Sequence, residues 1–190
     1  LVPEHKQIEL GIGHFPDWYE AEPANEGRKK NVFEWYTKGY VHNKKGEYAK
    51  AKVPLEQAYQ LNPDFKNLRL QLALTYNALK MHQKALPLLE KAITLEPKNY
   101  RLYQALSHAQ LLSGELSSAE KNANKGIKLC KINPPRCQMA LTLAYHFYDN
   151  KDKRKLKKWL RESRKYALDG GRQAKQIGEM LEDSYSWDKK

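Results

Sequence analysis

Six histidines (His5, His14, His42, His82, His108, His146), two cysteines (Cys130, Cys137) and a dense run of cations are the side chains through which this 190-residue chain could do chemistry. The histidines show no H-E-x-x-H or comparable ligand spacing, and the cysteines do not form C-x-x-C, so neither a metal site nor a dithiol centre is indicated. Gly11-Ile12-Gly13 lacks the third glycine and the strand-to-helix setting of a nucleotide loop. No G-x-S-x-G nucleophile elbow occurs. A non-enzymatic protein without cofactor or metal is the expectation, with His108 a polar lining residue rather than a base.

Cys130 and Cys137 flank Ile132-Asn133-Pro134-Pro135. A disulfide closing that loop would suit an oxidising compartment, and two small, partly buried thiols near helix ends are the alternative; both readings stand. The chain opens on Leu1, and its methionines are Met81, Met139 and Met180, so a segment is expected to be missing ahead of it; a cleaved secretory signal, a cut membrane anchor or a recombinant boundary would each leave this appearance. Hydrophobic residues make up 41% and charged ones 29%, with a net charge of +12, so the chain can bury a core and cannot be disordered throughout. Its longest apolar runs, such as Ala85-Leu86-Pro87-Leu88-Leu89, are far shorter than the roughly 18 residues of a membrane helix.

The elements that would position these residues follow from an internal repeat. Asn62-Pro63-Asp64 and Glu96-Pro97-Lys98 stand 34 residues apart, and Ala51, Ala85 and Ala119 keep the same step. Ala58, Ala92 and Gly126 follow it too, as do Tyr48, His82 and Leu116. Each period holds two apolar-periodic segments joined by a short polar break, Lys45-Gly46-Glu47 in the first, which predicts a helical hairpin. Small residues at Gly39, Ala73 and Ser107 let paired helices approach closely. Pro63 and Pro97 mark helix ends, while Pro54 and Pro87 should sit in a first turn or kink their helices. Asn31 with Glu34 forms a capping box expected to open the first helix.

On these residues the chain resembles the tetratricopeptide repeat family. The resemblance rests on Trp35, Gly39, Tyr48, Ala51, Leu55, Ala58 and Pro63, then Leu72, Ala73, Tyr76, Ala85, Leu89, Ala92 and Pro97, then Tyr103, Leu106, Ser107, Ala119 and Gly126. The implied fold is an all-α solenoid of helix-turn-helix hairpins at 32–65, 66–99 and 100–133, with a degenerate fourth at 137–170. In that fourth copy Leu156 stands where the small alanine belongs, and three extra residues precede it. Residues 171–190 are expected to supply a capping helix and tail, carrying Ala174, Ile177, Met180 and Leu181 along one side. Residues 1–30 match no repeat and read as an irregular arm, whose Phe15, Trp18 and Tyr19 need a surface to cover them.

By the same resemblance, the first helix of each hairpin lines a concave groove. The first would contribute Phe33, Tyr36, Tyr40 and Asn43, and the second Asn67, Gln71, Leu74 and Asn77. Arg101, Gln104 and His108 would come from the third, and Gln138, Tyr145 and Tyr148 from the fourth. Tyrosines and side-chain amides with little charge suit an extended protein or peptide partner, and the same chemistry suits a glycan. The carboxylate clamp of family members that bind chaperone C-termini is not expected, because its positions hold Tyr36, Tyr40, Gln71, Arg101 and Ala105.

Between Lys151 and Lys165 nine cations face two acids, including Lys153, Arg154, Lys157, Lys158, Arg161, Arg164 and Lys165. They must surround an apolar stripe of Leu156, Trp159 and Leu160 and project outward. A solvated face that also docks an acidic protein or anionic surface is the preferred reading; nucleic acid ranks last, because the groove aromatics lack interleaved cations and no dedicated binding motif accompanies the patch. The chain thus reads as a binding scaffold, an adaptor with a groove and a basic flank. By resemblance to bacterial members of the family, its expected setting is an envelope assembly (pilus, secretion or polysaccharide export), periplasmic or otherwise exported, with a cytoplasmic location as the alternative. The arm could also drive homo-oligomerisation by filling a neighbour's groove.

Overall fold

The structure is a computed structural model that describes residues 26–168 and 172–186. The described residues form nine helices and no strand: α1 (Glu26–Lys44), α2 (Tyr48–Leu61), α3 (Leu68–Ala78), α4 (His82–Leu95), α5 (Tyr100–Leu112), α6 (Leu116–Leu129), α7 (Asn133–Asp149), α8 (Lys153–Arg164) and α9 (Arg172–Ser186). This is an all-α fold of successive helical hairpins, the solenoid class. The chain divides into two compact units, residues 1–79 and 80–190.

The turns explain the hairpins. Gly46, Lys80, Gly114 and Lys151 all have positive φ, at 74, 60, 82 and 55°. After α1 the amides of Gly46 and Glu47 donate back to the carbonyls of Asn43 and His42, and Gly114–Glu115 and Lys151–Asp152 repeat that pattern after α5 and α7. Such a left-handed residue satisfies the last carbonyls and reverses the chain within two residues. Asp152 then caps α8 by accepting from the Lys155 amide, and Asn99 caps α5 by accepting from Arg101.

In the first unit, α1 packs on α2, and α3 packs on both. Ala51, Leu55 and Ala58 are fully buried, and Gly39 lies so close to Leu55 that an added Cβ would fall 2.5 Å from its Cγ. The Tyr36 ring sits 5.0 Å from that of Phe65 between these helices. In the second unit Ser107, at the predicted close-approach position, donates to the Ala119 carbonyl at 2.8 Å and ties α5 to α6. Leu156, Trp159 and Leu160 of α8 bury against α7, joined by Ile177 and Met180 of α9. Leu156 is fully buried in this core.

The structure corrects two expectations, the cap at Asn31 and the start of the fourth hairpin, and narrows the alternatives open for Pro54, Pro87 and the cysteines. α1 already runs from Glu26, so Asn31 lies inside a helix and cannot cap it with Glu34. Pro54 and Pro87 both fall beyond the first turn of α2 and α4, in the helix interior. Cys130 and Cys137 are free, buried thiols rather than a disulfide. Cys130 directs its sulfur to the Ile132 carbonyl at 3.4 Å, and burial pushes the Cys137 thiol pKa up, which favours its protonated form. The fourth hairpin starts at Asn133, four residues before the expected 137. The aromatic cluster Phe15, Trp18 and Tyr19 and the side chain of Ala174 lie outside the described residues.

Candidate functional site

The fourteen expected groove residues divide by burial and by what their polar atoms already bind. In the first unit, Tyr36 is a core residue at 2% exposure, and burial followed by the neighbouring Tyr40 raises its phenol pKa. Asn77 is buried as well. Asn43 spends its amide inside the unit, donating to the Gln71 carbonyl (3.0 Å) and side-chain oxygen (3.2 Å) and accepting from the Thr75 hydroxyl (2.8 Å). Asn43 and Gln71 therefore join α1 to α3 instead of waiting for a ligand. Half-buried Phe33, Tyr40 and Asn67 remain, with Leu74 at 38% exposure. Tyr40 stacks on Tyr36 at 5.9 Å, and the Lys44 ammonium lies 5.4 Å from its ring centroid. Asn67 precedes α3 with φ 61° and makes no side-chain cap.

In the second unit, α5 and α7 are in contact. Arg101 and His108 on α5 are exposed and Gln104 half-buried; Gln138 and Tyr145 on α7 are exposed. Tyr148 donates its hydroxyl to Asp183 of α9 at 2.8 Å, which pins the last helix to α7 and raises the phenol pKa. Desolvation, followed by electrostatic repulsion between the His108 and His82 rings, lowers the His108 pKa and favours its neutral imidazole. The panel thus offers one guanidinium, one neutral imidazole, one phenol and two side-chain amides. These groups can pair with the amides and carbonyls of an extended chain.

The basic segment is helical as expected, with Leu156, Trp159, Leu160 and Ser163 buried beneath it. Arg154, Lys158, Arg161, Arg164 and Lys165 are exposed, and Lys153 and Lys157 half-buried. Lys158 and Lys155 pair with Glu120 of α6 at 2.9 and 3.3 Å, and Lys165 pairs with Glu162. Sequence reasoning missed that α6 continues this face. Lys121, Lys125 and Lys128, spaced i, i+4, i+7, are exposed on it. Among the described residues no cluster of three or more His, Cys, Asp or Glu could hold a metal ion.

Helix pairs joined by left-handed turns, with small residues recurring every 34 positions at the close contacts, define a helical-hairpin repeat protein. Two family models, each described as tetratricopeptide repeat, match the chain over residues 35–65 and 76–126. The chain carries tetratricopeptide repeats over these residues, and such repeats generally serve as protein–protein interaction scaffolds. A search of the curated proteins found no match. No described helix is long and apolar enough to cross a membrane.

Proposed function

We propose that the chain holds an extended peptide segment of a partner protein against the α5–α7 panel. One observation carries the reading: Arg101, His108, Gln138 and Tyr145 stay exposed on two adjoining first helices whose other faces are buried. A peptide is favoured over a glycan because Tyr145 is the one exposed tyrosine, phenylalanine or tryptophan among the described residues of that panel, whereas sugar recognition relies on several stacking faces. Phe33, Tyr40 and Leu74 form a second, more apolar panel in the first unit. In this reading residues 133–168 act as a degenerate fourth repeat, closed by α9 through the Tyr148–Asp183 bond. An envelope assembly remains the setting suggested by family resemblance; the free thiols remove the disulfide as support for it.

The test is selection of a displayed peptide library on the wild-type chain, counter-screened on His108→Ala/Tyr145→Ala. Peptides retained by wild type and lost by the variant support the reading. Peptides retained equally by both sink it.

A further inference from the structure

Residues 115–165 hold fourteen basic and five acidic side chains and so supply +9 of the total +12. The structure gathers this charge on the outward sides of α6 and α8. On α6 Lys121, Lys125 and Lys128 share one exposed face. On α8 Arg154, Lys158 and Arg161 do the same at i, i+4, i+7. Glu120 of α6 reaches across to Lys155 and Lys158 of α8, which sets the two faces edge to edge. No acidic side chain among the described residues pairs with Lys121, Lys128, Arg154 or Arg161.

The makeup of the face selects its occupant. None of the large exposed apolar side chains lies on α6 or α8, so no anchor is available to fill a pocket on a partner protein. The rings nearest the face are already covered: Lys125 lies over Tyr103 (4.7 Å), Lys155 over Phe147 (4.9 Å) and Lys158 over Trp159 (5.0 Å). No base could stack there. The apolar side of α8 is committed to the core, so the helix cannot insert into lipid either. What remains is a broad ionic face without an uncovered ring or large apolar anchor, suited to a planar array of anions that demands little shape complementarity. We infer that the α6–α8 face docks the protein peripherally on an anionic membrane surface through lipid headgroups.

The experiment is vesicle co-sedimentation of the full chain with phosphatidylcholine containing about one part in four phosphatidylglycerol, beside pure phosphatidylcholine. The wild type should bind only the anionic vesicles and leave them as salt shortens the screening length. Each cation near the surface is worth about fivefold in partitioning, so Lys121→Gln/Arg154→Gln/Arg161→Gln should bind roughly 100-fold more weakly. Lys45→Gln/Lys66→Gln/Lys98→Gln removes the same charge from exposed sites elsewhere and should change binding only a few-fold. Circular dichroism checks that both variants keep their helices. Failure of the wild type to bind anionic vesicles overturns the inference, as does an equal loss in both variants. So does release from the vesicles by polyglutamate or duplex DNA at matched negative charge, which would assign the face to an acidic protein or to nucleic acid.

Discussion

Glycines at three helix positions make opposite predictions for one substitution, and the structure sets the sign of each. Replacing a mid-helix glycine by alanine gains about 1 kcal/mol of helix propensity. At Gly178 of α9 nothing lies within 4 Å of the new Cβ, so Gly178→Ala should stabilise by about 0.5–1 kcal/mol. At Gly39 the Cβ would meet Leu55 Cγ at 2.5 Å and Cδ2 at 2.8 Å, with the Ala51 carbonyl oxygen at 3.2 Å. Carbon atoms in ordinary contact sit about 3.5–4.0 Å apart, so the overlap is about 1 Å against a branch point with no exposed surface. Overpacking of that kind costs about 1–3 kcal/mol and outweighs the propensity gain, leaving a net loss of about 1–2 kcal/mol. Gly126 is intermediate: its near neighbour at 2.8 Å is the Met139 sulfur, on a chain that can re-rotate, so Gly126→Ala should change stability by less than about 1 kcal/mol.

Urea unfolding followed by circular dichroism gives the three midpoints, and amide exchange locates any loss in α1 and α2. A double-mutant cycle isolates the cause. Leu55→Ala alone should cost about 2–5 kcal/mol by opening a cavity. Combined with Gly39→Ala it should cost less than the sum by about 1–2 kcal/mol, because the new methyl occupies part of the space vacated. A Gly39→Ala variant as stable as Gly178→Ala, or strict additivity in the cycle, would refute the close approach of α1 and α2.

Two further outcomes are expected. Lys80 occupies the left-handed turn position that Gly46 and Gly114 hold elsewhere, so Lys80→Gly should stabilise by about 1 kcal/mol, read as a rise in urea midpoint; a fall would mean that its side chain is needed there. Burial alone would raise the Glu120 pKa, but the hydrogen bonds and charges of Lys158 and then Lys155 hold it below the ordinary carboxylate value. A depressed folded pKa means stabilisation present above the unfolded value and lost as pH falls through the folded one. Glu120→Gln should therefore cost up to about 1 kcal/mol at neutral pH and almost nothing in strong acid, and a deficit independent of pH in urea titrations would count against the pairing.

The fold was legible because size recurs with the repeat. Gly39, Ala51 and Ala58 are small for a reason that acts at one contact, and the same contact returns 34 residues later. The turns were half legible. Gly46 and Gly114 announce a left-handed residue, whereas Lys80 and Lys151 adopt the same conformation without a compositional sign. Their spacing still carries the information, since Lys151 follows Gly114 by 37 residues and accounts for the three extra residues of the last hairpin. The misplaced helix start at Asn31 has a different origin: a capping-box pattern satisfies amides only where the chain is not already helical upstream, and the residues from Glu26 onward are.

The candidate site was less legible, because a repeat period assigns a residue to a helix and a rough face but not to one side of the boundary between lining and core. Successive positions turn by about 100° around a helix, and neighbouring side chains decide the rest. Tyr36 and Tyr40, one turn apart on α1, were read alike; Phe65 closes over the first, while the second keeps an open flank. Asn43 and Asn77 look like ligand-binding amides in a sequence, yet Gln71 and Thr75 claim the first and burial removes the second. A charge window shows why the basic face was cut short. The α8 cations are adjacent in sequence and stand out, whereas those of α6 are diluted by the alanines, glycine and isoleucine that bury its other side. Glu120, which directly precedes Lys121 on α6 and is bonded across to Lys155 and Lys158, joins the two faces into one surface. Binding surfaces of a repeat protein are thus written between helices, and the chain order that reveals its architecture disperses the residues that act together.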